Sequence, residues 1–120
     1  MPKHAATWFE IPVTDMDRAV AFYEAILEAS LTRMTVGTEV ATLPSDDDGV
    51  GGALSLDGRK PSQEGSLVYL SVEDISAVLA RVPGAGGEVV LERTEIGNDY
   101  GFYGYLIDSE GNKVGLFEDV

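Results

Sequence analysis

Residues 8–27 read WFEIPVTDMDRAVAFYEAIL, and this stretch decides the fold. It begins inside the segment 5–13 (AATWFEIPV), where Phe9, Ile11 and Val13 alternate with Trp8 and Glu10. Alternation of period two predicts a half-buried strand. Thr14 and Asp15 stand next as helix caps, and Asp17 lies three residues after Thr14, where a capping-box partner would sit. Met16, Val20, Tyr23 and Leu27 then share one stripe at helical spacing, which predicts a helix to about Glu28.

Outward from this stretch, three short strands are predicted near 31–36, 39–43 and 51–56, separated by Gly37 and the Pro44–Gly49 loop. The pattern then restarts. Residues 66–72 (SLVYLSV) alternate as a strand, with Leu67, Tyr69 and Ser71 on one face and Val68, Leu70 and Val72 on the other. A second helix follows, with Ile75, Val78, Leu79 and Val82 on one side, Ser71 or Glu73 as its cap and GAGG at 84–87 as its end. Strands near 88–93, 102–107 and 113–118 close the chain, the last two joined by a tight turn at DSEGN, 108–112. Val13-Thr14-Asp15-Met16 matches Val72-Glu73-Asp74-Ile75 at a constant offset, and Ala21 matches Ala80. This is an internal repeat of two βαβββ modules, an α+β architecture. One domain over 1–120 is expected, with modules at about 4–57 and 65–118 and a linker at 58–64. Arg59 and Lys60 in the linker make a local positive spot.

Composition narrows the function. The 120 residues carry a net charge of −13, and a chain this acidic repels nucleic acid and anionic membrane surfaces. No cysteine is present, which excludes thiol catalysis, thiolate metal sites and disulfides and suggests a reducing, cytoplasmic setting. The start, MPKHAATWFEI, reads as neither a signal peptide nor a membrane span, and no stretch approaches the length of an apolar span. His4 is the single histidine, so one chain cannot supply two imidazole ligands.

The segment VTDMDRAVAFY, the repeat at 66–82 and the ending GFYGYLIDSEGNKVGLFE together resemble the vicinal oxygen chelate superfamily. That superfamily includes glyoxalase I, extradiol dioxygenases, methylmalonyl-CoA epimerase, and fosfomycin and bleomycin resistance proteins. The closing hairpin is similar to the family's D-P-D-G-N-x-x-E-L, and the whole is most similar to the small glyoxalase-like members. The resemblance implies the glyoxalase/bleomycin resistance/dioxygenase fold: a cupped mixed sheet around a cavity, often completed in a homodimer. It also implies four metal-ligand positions. Counted from Val13 and Val72, two of them fall on Trp8 and Leu67; the closing hairpin puts a third on Gly115, and the fourth falls near Gly52 or Ala53. None of these side chains can bind a divalent cation, which needs imidazole nitrogen or carboxylate oxygen. No metal and no other cofactor is therefore expected, nor the family's enediolate and oxygen-activation chemistry.

The residues left to line the cup are Trp8, Glu10, Leu67, Tyr69, Tyr103 and Tyr105. Trp8 is either an aromatic wall for a planar ligand or a plug filling the space of a metal. Glu10 shares its strand face. As a carboxylate in an apolar cup it would be a catalytic acid or base; its other reading is an ion pair with an arginine or an interface position. The tyrosines are phenolic donors for a ligand carbonyl, or amphipathic rim residues. GVGG at 49–52 lacks the residues of a phosphate loop and reads as a turn exit with close backbone approach. Asp46–Asp48 read as a solvated acidic loop, and Asp108, Glu110 and Asn112 as a hairpin turn. Ser71 has no histidine partner for a triad. The function expected is binding of a small apolar or carbonyl-containing molecule. The alternatives are a metal-free isomerase or lyase using Glu10, a metal enzyme with displaced ligands among His4, Glu10, Glu95, Asp99 and Glu118, and a purely structural or partner-binding module.

Overall fold

A computed structural model describes residues 4–46 and 48–120. The first module runs β1 (Trp8–Pro12), α1 (Met16–Leu27), β2 (Thr32–Val36), β3 (Thr38–Thr42) and β4 (Gly51–Leu56). The second runs β5 (Tyr69–Ser71), α2 (Ile75–Ala85), β6 (Glu88–Glu95), β7 (Phe102–Ile107) and β8 (Lys113–Glu118). The sheet orders, β1-β4-β3-β2 and β5-β8-β7-β6, are the same path traced twice. In each, the first strand pairs parallel with the last and the other pairs are antiparallel. Both strands that lead into a helix are shorter than their alternation predicts.

The two helices start alike. Asp15 caps α1 by accepting the Arg18 N–H at 3.0 Å, and Asp74 caps α2 by accepting the Ala77 N–H at 3.1 Å. The cap of α2 is thus Asp74 and not Ser71 or Glu73; the repeat itself aligns Asp74 with Asp15. Helix α2 ends at Gly86, whose φ of 106° is a left-handed C-cap that favours glycine. Apolar faces of both helices enter one buried cluster with Ile11, Val13, Leu54, Leu70, Leu106 and Leu116. The buried face of α1 is broader than the predicted stripe and includes Ala19, Phe22 and Ile26, while Leu27 lies at its margin. The reason is that α1 packs on its own sheet and also against α2. Among the described residues the two sheets meet through the helices and not strand to strand.

The turn at 108–112 locks the modules together. Asp108 is buried, and its Oδ2 accepts the hydroxyl of fully buried Tyr23 on α1 at 2.6 Å. Its Oδ1 accepts the N–H groups of Glu110 and Asn112, each at 2.9 Å. Asn112 Nδ2 donates to Pro12 O at 2.8 Å. The Glu110 side chain exposes no surface; its Oε1 accepts the N–H groups of Thr14 and Asp15, both at 2.9 Å, and its Oε2 accepts Arg18 Nε at 2.7 Å. Glu110 therefore does from the far end of the chain what Asp17 was expected to do locally. Asp17 instead pairs with Arg33 at 2.6 Å. A carboxylate at a helix N-terminus also meets the positive end of the helix dipole.

Burial alone would push the Glu110 carboxyl up, but Arg18 and the two backbone donors outweigh it and hold it down at about 2. A carboxylate lowered in the folded state stabilises above its ordinary range, and that contribution drains away as pH falls toward the folded value. Glu110→Ala is expected to lower stability at pH 7 by about 2 kcal/mol, the cost of hydrogen bonds to a charged group. It is also expected to flatten the loss of stability between about pH 5 and pH 2. Urea unfolding across that range checks both; a variant with the wild-type acid limb would contradict the assignment.

Candidate functional site

The face of each sheet turned away from the helices carries the residues expected to line the cup. Within β1, Phe9 and Ile11 point to the core, leaving Trp8 and Glu10 on the other face. Trp8 pairs in register with Gly51, and a Cβ at Gly51 would lie 3.2 Å from the indole ring. Phe9 covers Gly52 in the same way on the core side, so Gly51 and Gly52 serve close approach of aromatic rings, while Gly49 closes a turn on Asp46. Trp8 remains 49% exposed, so it plugs no enclosed space within the chain.

In the second sheet Tyr69, Gly115 and Tyr105 lie side by side across three strands. The missing side chain at Gly115 leaves room for the tyrosines to lean over it. A Cβ there would stand 2.6 Å from Tyr69 Cδ2, and the Tyr69 and Tyr105 hydroxyls meet at 3.1 Å. Tyr103 packs edge-on against Tyr105 with ring centroids 5.5 Å apart. Lys113 places its ammonium 4.4 Å from the centroid of the Tyr105 ring, a cation–π contact. The bond to Tyr105, with partial burial, pushes the Tyr69 phenol up to about 12. Leu67, just before β5, is half-buried. The structure thus unites Tyr69, Tyr103 and Tyr105, while Trp8 and Glu10 stand on the other sheet. Lys113 was missed in the sequence, although its spacing of two from Gly115 put it on this face.

Glu10 sits among charged groups rather than in an apolar cup. Arg59 Nη2 donates to its Oε1 at 2.9 Å, and Arg59 Nε also bonds both oxygens of Asp57, at 3.0 and 2.9 Å. Arg59 beside it holds the Asp57 carboxyl well below the usual carboxylate range. Buried Ser55 completes the chain by donating to Asp57 Oδ2 at 2.9 Å. The linker's positive spot is therefore half consumed internally. A separate open groove of about 980 Å³ lies between the modules, lined in part by Phe9, Leu43, Gly52, Tyr69, Val72 and Arg81. Of the expected cup residues only Tyr69 reaches it.

Register fixes the fourth of the implied metal positions. Val13 N–H bonds Ser55 O as Val72 N–H bonds Phe117 O, so Ala53 holds in the first module the place of Gly115 in the second. The donor set would be Trp8, Ala53, Leu67 and Gly115, which offers no imidazole and no carboxylate and does not fit a divalent cation. Among the described residues no three His, Asp or Glu come together in a way that could hold a metal. His4 is exposed, Glu118 is engaged by Ile75 N–H and Arg93, and Glu10 by Arg59. Asp46 and Asp48 are exposed, and Asp47 lies outside the described residues.

Gly115→Ala is expected to swing Tyr69 off the new methyl and break its bond to Tyr105. The Tyr69 phenol should then titrate back toward 10 from about 12. Ultraviolet difference titration, with Tyr69→Phe to identify the transition, checks this; an unmoved transition would contradict the contact.

The geometry is that of a paired βαβββ protein whose outer sheet faces carry aromatic side chains and, among the described residues, no metal-ligand cluster. The sequence profile of the Glyoxalase/Bleomycin resistance protein/Dioxygenase superfamily matches residues 4–116, and the chain belongs to that superfamily. It is 31% identical over 110 residues to "Putative glyoxylase CFP32" of Mycobacterium bovis and of Mycobacterium tuberculosis. The match covers 87% of this chain but spans only 40% of the mycobacterial proteins. A glyoxalase/bleomycin resistance protein from Albidiferax ferrireducens superposes with a TM-score of 0.75 at 17% identity, covering 98% of this chain and all of that one. Glyoxalase I from Zea mays superposes with a TM-score of 0.66 at 19% identity, covering 93% of this chain and 45% of that one. Among the described residues no helix is long and apolar enough to cross a membrane.

Proposed function

We propose that this chain is a metal-independent member of its superfamily that binds a small apolar or carbonyl-containing molecule against the aromatic cup faces. The observation that carries this reading is the donor set. Where the family resemblance puts metal ligands stand Trp8, Ala53, Leu67 and Gly115, of which Trp8 is itself aromatic and Gly115 lies under the Tyr69 ring. Aromatic faces bring large apolar area at low conformational cost, and phenolic O–H groups orient a carbonyl oxygen. The Arg59 contact on Glu10 supports a structural ion pair over an acid–base role for that carboxylate.

The same reading includes a homodimer. Trp8 and Tyr69 are 49% and 45% exposed, and β1 and β5, which carry them, are open edges of their sheets. A second copy brought to these edges would turn two open faces into an enclosed cup, and would cover edges that otherwise invite unwanted pairing.

Trp8 is the only tryptophan, so its fluorescence reports the site directly. Titration with 2-acetylnaphthalene is expected to quench it saturably. Calorimetry with Trp8→Ala should show at least about a tenfold weaker Kd, as for a buried aromatic anchor. Light scattering should give twice the 12.8 kDa chain mass. Absence of saturable binding, or equal affinity in Trp8→Ala, would contradict the binding reading, and a monomer would contradict the dimer.

A further inference from the structure

Five arginines and two lysines lie among the described residues, and each arginine stands within 4 Å of a carboxylate: Arg18 on Glu110, Arg33 on Asp17, Arg59 on Glu10, Arg81 on Glu28 and Arg93 on Glu118. Neither lysine has such a partner among the described residues. Lys60 is exposed in the linker, whereas Lys113 is half-buried on β8. In a chain with 21 acidic residues, a half-buried lysine with no carboxylate partner among the described residues is conspicuous. Burying a charge is costly unless something pairs with it.

What surrounds Lys113 defines the missing partner. Its ammonium lies over the Tyr105 ring, whose hydroxyl bonds that of Tyr69. Two phenols carry two protons, and their mutual bond uses one, so one O–H remains to donate. A separate open hollow of about 590 Å³ on the other side of Lys113, lined by Val90, Ile107 and the polar linker side chains Ser62, Gln63 and Glu64, does not include the tyrosines. On the tyrosine face itself the recognition set is thus one ammonium, one phenolic donor and the aromatic rings. A single cation on a chain of −13 suits one negative charge and not a phosphate dianion.

We infer that the second sheet's face is an anion subsite, in which Lys113 and the Tyr69–Tyr105 pair hold the carboxylate of a small planar monocarboxylate while its body lies on the tyrosine rings. This rests on the binding reading above and names the ligand class for that site. The ammonium–carboxylate contact is charge-assisted and so stronger than a neutral hydrogen bond at the same place.

The test is calorimetric titration of the full chain with 2-naphthoate and with its neutral counterpart 2-naphthamide. Wild type is expected to bind the carboxylate about tenfold more tightly than the amide. Lys113→Met keeps an apolar stem and removes the charge. It should bring the two probes to parity, and Lys113→Arg should keep the preference. Equal affinity for both probes in wild type, or a preference surviving in Lys113→Met, would overturn the anion subsite and leave the binding reading standing. Binding of neither probe would overturn both.

Discussion

The contact on which the rest of the structure depends is the one made by the 108–112 turn. Asp108, Glu110 and Asn112 leave the end of the second module and satisfy groups at the start of the first: the Tyr23 hydroxyl, the Thr14 and Asp15 N–H groups, Arg18 and Pro12 O. The Tyr23 hydroxyl is buried and the Thr14 and Asp15 N–H groups lie at the start of α1, where polar groups need partners. Because the turn belongs to the β7–β8 hairpin, fixing it also fixes the strands that carry Tyr103, Tyr105, Lys113 and Gly115. The position of the tyrosine face relative to α1 follows from this clamp. Helix packing of α1 on α2 supplies the apolar part of the same junction.

With the modules joined through their helices, the opposite faces of both sheets are free to act as binding walls. Those faces are built on small residues. Gly51 lies under Trp8, Gly115 lies between Tyr69 and Tyr105, and Ala53 stands beside Glu10. The arrangement is mutually exclusive with the metal site that the family resemblance implies. A glutamate at 115 would need its Cβ where the Tyr69 ring now sits. In the proposed reading an aromatic platform stands at the backbone positions where the resemblance implies metal ligands, and what it would offer a ligand is stacking, phenolic hydrogen bonds and a single ammonium.

Much of the fold was legible because its signals are local. Alternation in 8–12, helical spacing from Met16, the glycine stop after α2 and the repeat at constant offset each depend on neighbours in sequence. The repeat even held the information that Asp74 caps α2, since it stands where Asp15 stands. What could not be read locally was Glu110. A capping partner is sought three residues along the helix, and here it comes from 96 residues away, out of a turn whose acidic residues look solvated. The site divides in the same way. Periodicity puts Tyr103 and Tyr105 on one strand face and Tyr69 with Leu67 and Ser71 on another, but nothing in spacing tells that Arg59 folds back from the linker onto Glu10. Lys113 shares the face of Gly115 by period two, but spacing alone does not tell that its ammonium lies over the Tyr105 ring.

The central claim is that the usual metal positions have been given over to an aromatic binding face. Elemental analysis of untagged protein, with thermal titration by Ni²⁺, Zn²⁺, Mn²⁺ and Fe²⁺, tests it most directly. A ligand that binds the folded state raises the melting temperature by mass action. The account predicts far less than one metal per chain and no rise in Tm with any of the four. One metal per chain, with a rise in Tm that Glu10→Gln abolishes, would contradict it and place a carboxylate ligand where the structure shows an ion pair.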